Sequence, residues 1–144
     1  MKCITLTLIA LLTSLEVGSA SFTRRAELPF SPSNMLTTMT EMGIVYPDIV
    51  MAQARIETAH FTSKIFKENH NLFGMKLPKQ RSTTAIGEQH NHAEYTSWRQ
   101  SVIDYKLWQD RVLTKVHSRR AYLKYLNKYY ATDKQYVTLI KQMI

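Results

Sequence analysis

At 144 residues, with a net charge of +8 and one cysteine, the chain has the length for one compact core that buries roughly two-thirds of its unfolded surface, and none for a second module. The cysteine is Cys3, inside an N-terminal segment expected to be removed. Disulfides, cysteine zinc sites and a thiol nucleophile are therefore excluded together.

Met1-Lys2, the apolar run Ile4 to Leu12 and Gly18-Ser19-Ala20 form the pattern of a secretory signal peptide over residues 1–20. The run is too short to span a bilayer, and no stable membrane insertion is expected once it is removed. Secretion or delivery to a periplasm follows as an expectation. Residues 21–30 form a short basic lead-in, expected to be poorly ordered. A single domain then occupies 31–144.

Ser31-Pro32 sets a helix start, with Ser31 as N-cap and Pro32 in the first turn. Met35, Leu36, Met39 and Met42 give its core face, and Gly43 ends it. The next helix, opened by Pro47 and running from Asp48 to Phe61, has almost no polar face and reads as buried on most sides. Val50, Ala54, Glu57 and Phe61 fall on one stripe of it, so a carboxylate stands among apolar neighbours near the C-terminal end.

Two readings fit Glu57. In one it is a structural carboxylate, paired with Arg55 or Lys64 or facing water. In the other, desolvation raises its pKa so that it carries a proton near neutral pH and acts as a general acid. A shift of about two units costs about 2.7 kcal/mol, which a small domain sustains in one place but not in several.

Thr62 to Asn69 reads as a short helical turn, and Asn69-His70-Asn71-Leu72-Phe73-Gly74 as a tight loop. Its amides can fix the loop or reach a ligand amide, and Gly74 can take a backbone conformation that other residues avoid. Thr83 to Glu88 and Ala93 to Thr96 read as two short strands joined by a four-residue loop, a hairpin that must lean on the helical body. Ser97 and Gln100 form a capping box for a helix that buries Trp98, Val102, Tyr105, Trp108 or Gln109, and Val112. Ser118 caps a helix carrying Tyr122, Leu123, Tyr125 and Leu126. Thr132 to Gln135 make a second capping box before Tyr136, Leu139, Ile140 and Met143.

The segment AQARIETAHFTSKIFKENHNLFGMK resembles the AQ(A)xxES…NNLFGxK signature of bacterial endo-β-N-acetylglucosaminidases, the lysozyme-like enzymes that cut peptidoglycan glycan strands. YTSWRQSVIDYKLW and Tyr130-Ala131-Thr132-Asp133-xx-Tyr136 resemble two further motifs of that family, in the same order, so the likeness runs from about Asp48 to the C-terminus. One departure is visible: His70 stands where the family has the first Asn of NNLFG.

The resemblance implies an α+β, mainly α fold, with a lysozyme-like helical body and a small β-hairpin lobe. It implies cleavage of the β-1,4 bond between N-acetylglucosamine and N-acetylmuramic acid by a monomer that needs no metal or cofactor. Glu57 matches the catalytic glutamate. Glu88 matches the second carboxylate, with Glu94 as the alternative, and Tyr130 the functional tyrosine. Asn71, Phe73, Gly74 and Tyr95 fall at positions expected to bind substrate. Whether a water, a covalent intermediate or the substrate's own N-acetyl oxygen meets the sugar cation stays open. A lytic transglycosylase-like enzyme and a non-catalytic wall-binding module are the alternatives.

Other constellations are weaker. His90 and His92 stand two apart on the hairpin with no third ligand in reach of the pattern, and His60, His70 and His117 have no helpful spacing. Asp133 suits a helix start. The basic residues, among them Arg99, Arg111, Lys115 and Lys124, are dispersed; for an exported chain they suit anionic cell-wall polymer rather than nucleic acid.

Overall fold

The structure is a computed structural model that describes residues 28–130 and 135–144. The expected signal segment, the lead-in through residue 27 and Thr132, Asp133 and Lys134 of the expected second capping box lie outside the described residues. Among the described residues, six helices and one hairpin follow in the order α1 (Pro32–Glu41), α2 (Pro47–Glu57), α3 (Lys64–Asn69), β1 (Gly87–Gln89), β2 (His92–Glu94), α4 (Trp98–Leu113), α5 (Arg119–Tyr129) and α6 (Tyr136–Met143). This is the mainly α architecture with a small β lobe that the sequence predicts.

α1 starts as expected: Ser31 is extended and its hydroxyl accepts the Asn34 N–H at 3.0 Å. Met35 and Met39 are fully buried, but Leu36 faces out and Thr38 takes its place, bonded to Arg99 at 2.8 Å. Gly43, at φ +66°, turns the chain toward α2. The last residues before α2 carry strain, since Tyr46 is left-handed at φ 57°. Its ring is held 5.4 Å from Tyr122 and beneath Arg119, whose guanidinium also clamps Asp48 in the first turn of α2.

α2 is the hub, buried on two sides. Val50 and Ala54 enter a cluster with Met35, Met39, Leu72, Val102 and Tyr105, while Ile49 and Ala52 enter another with Val112, Tyr122, Leu126 and Ile140. It ends at Glu57, four residues earlier than its apolar pattern predicts. Thr58 turns its hydroxyl back to the Ala54 carbonyl at 2.5 Å and accepts the Phe61 N–H at 2.8 Å. Ala59, His60 and Phe61 then take left-handed φ of 47°, 55° and 66°. Phe61 therefore leaves the Glu57 stripe and joins Phe30, Phe66 and Trp98.

That aromatic cluster corrects the expectation for the end of the lead-in. The Phe30 ring lies 4.7 Å from Phe66, and the Trp98 indole donates to the Leu28 carbonyl at 3.1 Å, so residues 28–30 are docked.

The hairpin is shorter and tighter than its sequence suggests. Gly87 pairs with Glu94 and Gln89 with His92, leaving a two-residue turn of His90 and Asn91, both left-handed. It leans on the loop after α3: Ala93 N–H bonds the Met75 carbonyl and Tyr95 N–H the Asn69 carbonyl, each at 2.9 Å. Ser97 precedes α4 in an extended conformation but makes no side-chain cap, because the Gln100 N–H is taken by the Ser97 carbonyl at 3.1 Å. Of Trp108 and Gln109 in α4, Gln109 is the buried one; Trp108 is half-buried and faces a cleft. Ser118 caps α5 through the Ala121 N–H at 3.1 Å. Among the described residues no helix is long and apolar enough to cross a membrane.

Candidate active site

Glu57, the last residue of α2, opens into a cleft of about 340 Å³. Because α2 runs up to this residue and the chain turns left-handed only from Ala59, the carboxylate is carried on the rigid end of the central helix and not on a loop. Lys64 pairs with Glu68 at 3.9 Å, and among the described residues Glu57 forms no ion pair. The structural pairings with Arg55 or Lys64 are thereby removed. Burial pushes the Glu57 carboxyl above its ordinary pKa, and a hydrogen bond from Tyr136 opposes this without cancelling it.

Gly74 forms the wall facing that carboxylate. Its φ of +61° favours glycine, and a Cβ placed there would lie 2.8 Å from Glu57 Oε2. The loop is locked from behind by Asn71, whose amide donates to the Met75 and Ala93 carbonyls, both at 2.9 Å, and accepts the Phe73 and Met75 N–H groups. Asn71 is 1% exposed. With all its hydrogen-bonding capacity spent on backbone, it is a loop brace and does not reach a ligand, contrary to expectation. The preceding His70, the visible departure from the family pattern, is left-handed and ends α3.

Tyr130 follows α5 and donates its hydroxyl to the Phe73 carbonyl at 2.6 Å, which places its oxygen in the same cleft as Glu57. Phe73 contributes backbone only; its ring is buried 4.3 Å from Tyr105. Tyr95 does not line the cleft. It is 1% exposed and donates to Asp104 at 2.7 Å. Asp104, fully buried, also receives a two-pronged contact from Arg81 at 2.5 and 2.9 Å. Burial raises the Asp104 carboxyl, but Arg81 and Tyr95 outweigh it and hold it below the ordinary range. Arg81 reaches the cleft edge with its charge committed to that aspartate.

Glu88 is exposed on β1 opposite Ala93, and neither it nor Glu94 lines the cleft. The hairpin is tied to the edge of the cleft through its turn, with Lys76 donating to the Asn91 carbonyl. Among the described residues Glu57 is the cleft's one carboxylate. On the turn, His90 contacts Glu68 at 2.5 Å, and His92 Nδ1 lies 2.8 Å from the His90 carbonyl. No group of three potential metal-binding side chains occurs among the described residues.

The rest of the cleft is aromatic. Trp108 meets Tyr130 edge-on at 5.2 Å, and Tyr125 and Tyr129 continue the wall at 4.8 Å from each other, with Tyr129 61% exposed. Such rings offer a flat apolar face beside polar edges, as a sugar ring does. Sequence reasoning missed this wall and the groups behind Glu57. Tyr125 and Tyr129 stand one helical turn apart, as do Gln53 and Glu57, and that spacing was the available signal.

The family model described as mannosyl-glycoprotein endo-β-N-acetylglucosaminidase matches residues 34–144. Over 69 residues the chain is 35% identical to the protein bax of Escherichia coli (strain K12), covering 48% of this chain and 25% of that one. The chain thus spans about a quarter of that relative. Among solved structures, it superposes with a TM-score of 0.58 on a chain of a type VI secretion system effector–immunity complex from Pseudomonas protegens, at 15% identity over 78% of this chain and 89% of the other. The catalytic domain of the autolysin Auto from Listeria monocytogenes gives a TM-score of 0.50 at 17% identity, over 94% and 95% of the two chains. With its lysozyme-like helical body, its small hairpin and a family match over most of its length, the chain belongs to the glucosaminidase family of glycoside hydrolases.

Proposed function

We propose that the protein hydrolyses the β-1,4 bond that follows N-acetylglucosamine in peptidoglycan strands, with Glu57 as the general acid. The observation that carries this reading is a partly buried carboxylate, with no ion pair among the described residues and a raised pKa, in an aromatic-walled cleft. Glu57 protonates the glycosidic oxygen as the bond to the anomeric carbon breaks, and the leaving sugar departs as an alcohol. The net charge of +8 suits an anionic wall polymer, and the N-terminal apolar run suits export to reach it.

The lack of a second carboxylate in the cleft among the described residues favours participation by the substrate. The N-acetyl oxygen then closes on the anomeric carbon as the glycosidic bond breaks. Water opens that ring, giving up its proton to the Glu57 carboxylate. Tyr130, whose hydroxyl hydrogen is committed to Phe73, keeps lone pairs that can accept the acetamido N–H.

Mass spectrometry of peptidoglycan digested by the purified protein tests this reading. A reducing N-acetylglucosamine end is expected. An anhydromuramic end would instead make the protein a transglycosylase, and intact glycan would make it a binding module.

A further inference from the structure

Behind Glu57 a line of buried polar groups crosses the whole helical body to the turn between α1 and α2. Gln109 holds the Val45 backbone with both ends of its amide: Oε1 accepts the Val45 N–H at 2.9 Å, and Nε2 donates to the Val45 carbonyl at 2.8 Å. The amide therefore cannot be turned around, and its second N–H donates to the Tyr122 hydroxyl at 3.0 Å. Tyr122 and Tyr105 are in contact at 2.6 Å. Tyr105 has one hydrogen, which goes to Gln53 Oε1 at 2.5 Å. The Tyr122 hydrogen must then point to Tyr105. Gln53 Nε2 donates to the Tyr136 hydroxyl at 3.3 Å, and Tyr136 in turn donates to Glu57.

We propose that Gln109, Tyr122, Tyr105, Gln53 and Tyr136 are a one-way hydrogen-bond relay, polarised by the Val45 backbone, that positions the catalytic proton of Glu57. The proposal rests on the reading of Glu57 as the acid. Reversing the Gln53 amide would leave the Tyr122 hydrogen without an acceptor inside a fully buried residue, which costs the desolvation of that group. One direction is thus selected from the far end. With the Tyr136 hydrogen directed at one Glu57 oxygen, a proton bound by Glu57 is favoured on the other oxygen. Gln53, Tyr105, Tyr122 and Gln109 have no exposed surface and Tyr136 has 3%, so water does not compete along the line.

Burial also keeps the phenols protonated, pushing Tyr122 up to about 12 and Tyr105 and Tyr136 well above their ordinary range. Among the described residues, the titratable groups that touch Glu57 or share its cleft are Tyr136, Tyr130, Tyr125, Tyr129, Lys76 and Arg81. Of the two cations, Arg81 is bound to Asp104 and Lys76 to the hairpin turn. Gln53, Tyr105, Tyr122 and Gln109 are positioning residues, and their effect on the acid falls with distance along the line.

The test is a pH titration by carbon-13 NMR of the ligand-free protein, labelled at the glutamate carboxyl and tyrosine ring C–O carbons. In the wild type, the Tyr136, Tyr105 and Tyr122 carbons should shift at the Glu57 midpoint with falling amplitude, while Tyr95, bonded to Asp104, does not. Tyr136→Phe should raise that midpoint by about one unit, the size expected for one lost hydrogen bond to a carboxylate. Tyr105→Phe should raise it less. Flat tyrosine carbons in the wild type would overturn the relay, and so would a Tyr105→Phe variant that loses stability as Tyr95→Phe does while its Glu57 midpoint stays put. Neither readout uses catalysis. An inactive protein with coupled titrations would remove the proposed function and leave the relay standing.

Discussion

Gly74 and Gly43 form a matched pair for separating backbone strain from contact with the acid. Both are left-handed, at φ +61° and +66°, but a Cβ on Gly43 meets nothing within 4 Å, whereas one on Gly74 lies 2.8 Å from Glu57 Oε2. Alanine at either position should cost about 1–2 kcal/mol for the left-handed conformation, partly offset by a stiffer unfolded chain. At about 4 °C per kcal/mol for a domain of this size, each variant should melt several degrees below wild type. Only Gly74→Ala must also push the carboxylate aside, because 2.8 Å is closer than real Cβ contacts come and the Glu57 side chain is the part that can yield. A displacement on the order of 1 Å at a reacting group lowers turnover by about 100-fold. The assay is calorimetric melting together with turnover on purified peptidoglycan. Gly43→Ala should lose stability alone, and Gly74→Ala both stability and turnover. Equal activity in the two variants would refute the claim that this glycine sets the acid's position.

Glu57→Gln should lose about 10²–10⁴-fold in turnover while still binding glycan in a pull-down. Because the folded carboxyl is raised, the wild type loses stability as pH rises from the unfolded value to the folded one. The variant should therefore match it below about pH 4 and exceed it at neutral pH in chemical denaturation, whereas a pH-independent gap would point to packing. Arg81→Met strands the Asp104 charge, and urea unfolding at pH 7 should record a loss of about 3–5 kcal/mol. Asp104 is held low when folded, so its contribution is present above its unfolded value and fades as pH falls through the folded one; a loss unchanged down to pH 2 would contradict this. Glu88→Gln should keep near-normal turnover, since its carboxylate is outside the cleft. A 100-fold drop would mean that the hairpin closes over substrate and brings Glu88 in.

Where local pattern and burial coincide, the chain is legible without coordinates. The cap at Ser31, the Met35–Met39 face, the buried character of α2 and the Ser118 cap all follow from spacing within a turn or two. Glu57 stands out in the same way, as a charged residue inside an apolar run. The early end of α2 does not, because Ala59, His60 and Phe61 carry no glycine signal for the left-handed backbone that Thr58 and the aromatic packing of Phe61 impose. Asn71 and Tyr95 sit in motifs that match, yet a motif specifies a residue and not the direction of its side chain, and both turn inward to partners that the fold supplies.

Sequence alone determined which helices form, which faces they bury and which carboxylate is out of place, since these depend on neighbours three or four positions away. Tertiary structure decided what surrounds that carboxylate. Gln53 and Tyr136 meet across 83 positions and Tyr130 and Phe73 across 57. Contacts of that span are set by how helices pack, through the collective fit of many side chains, and so leave no periodic trace in the chain.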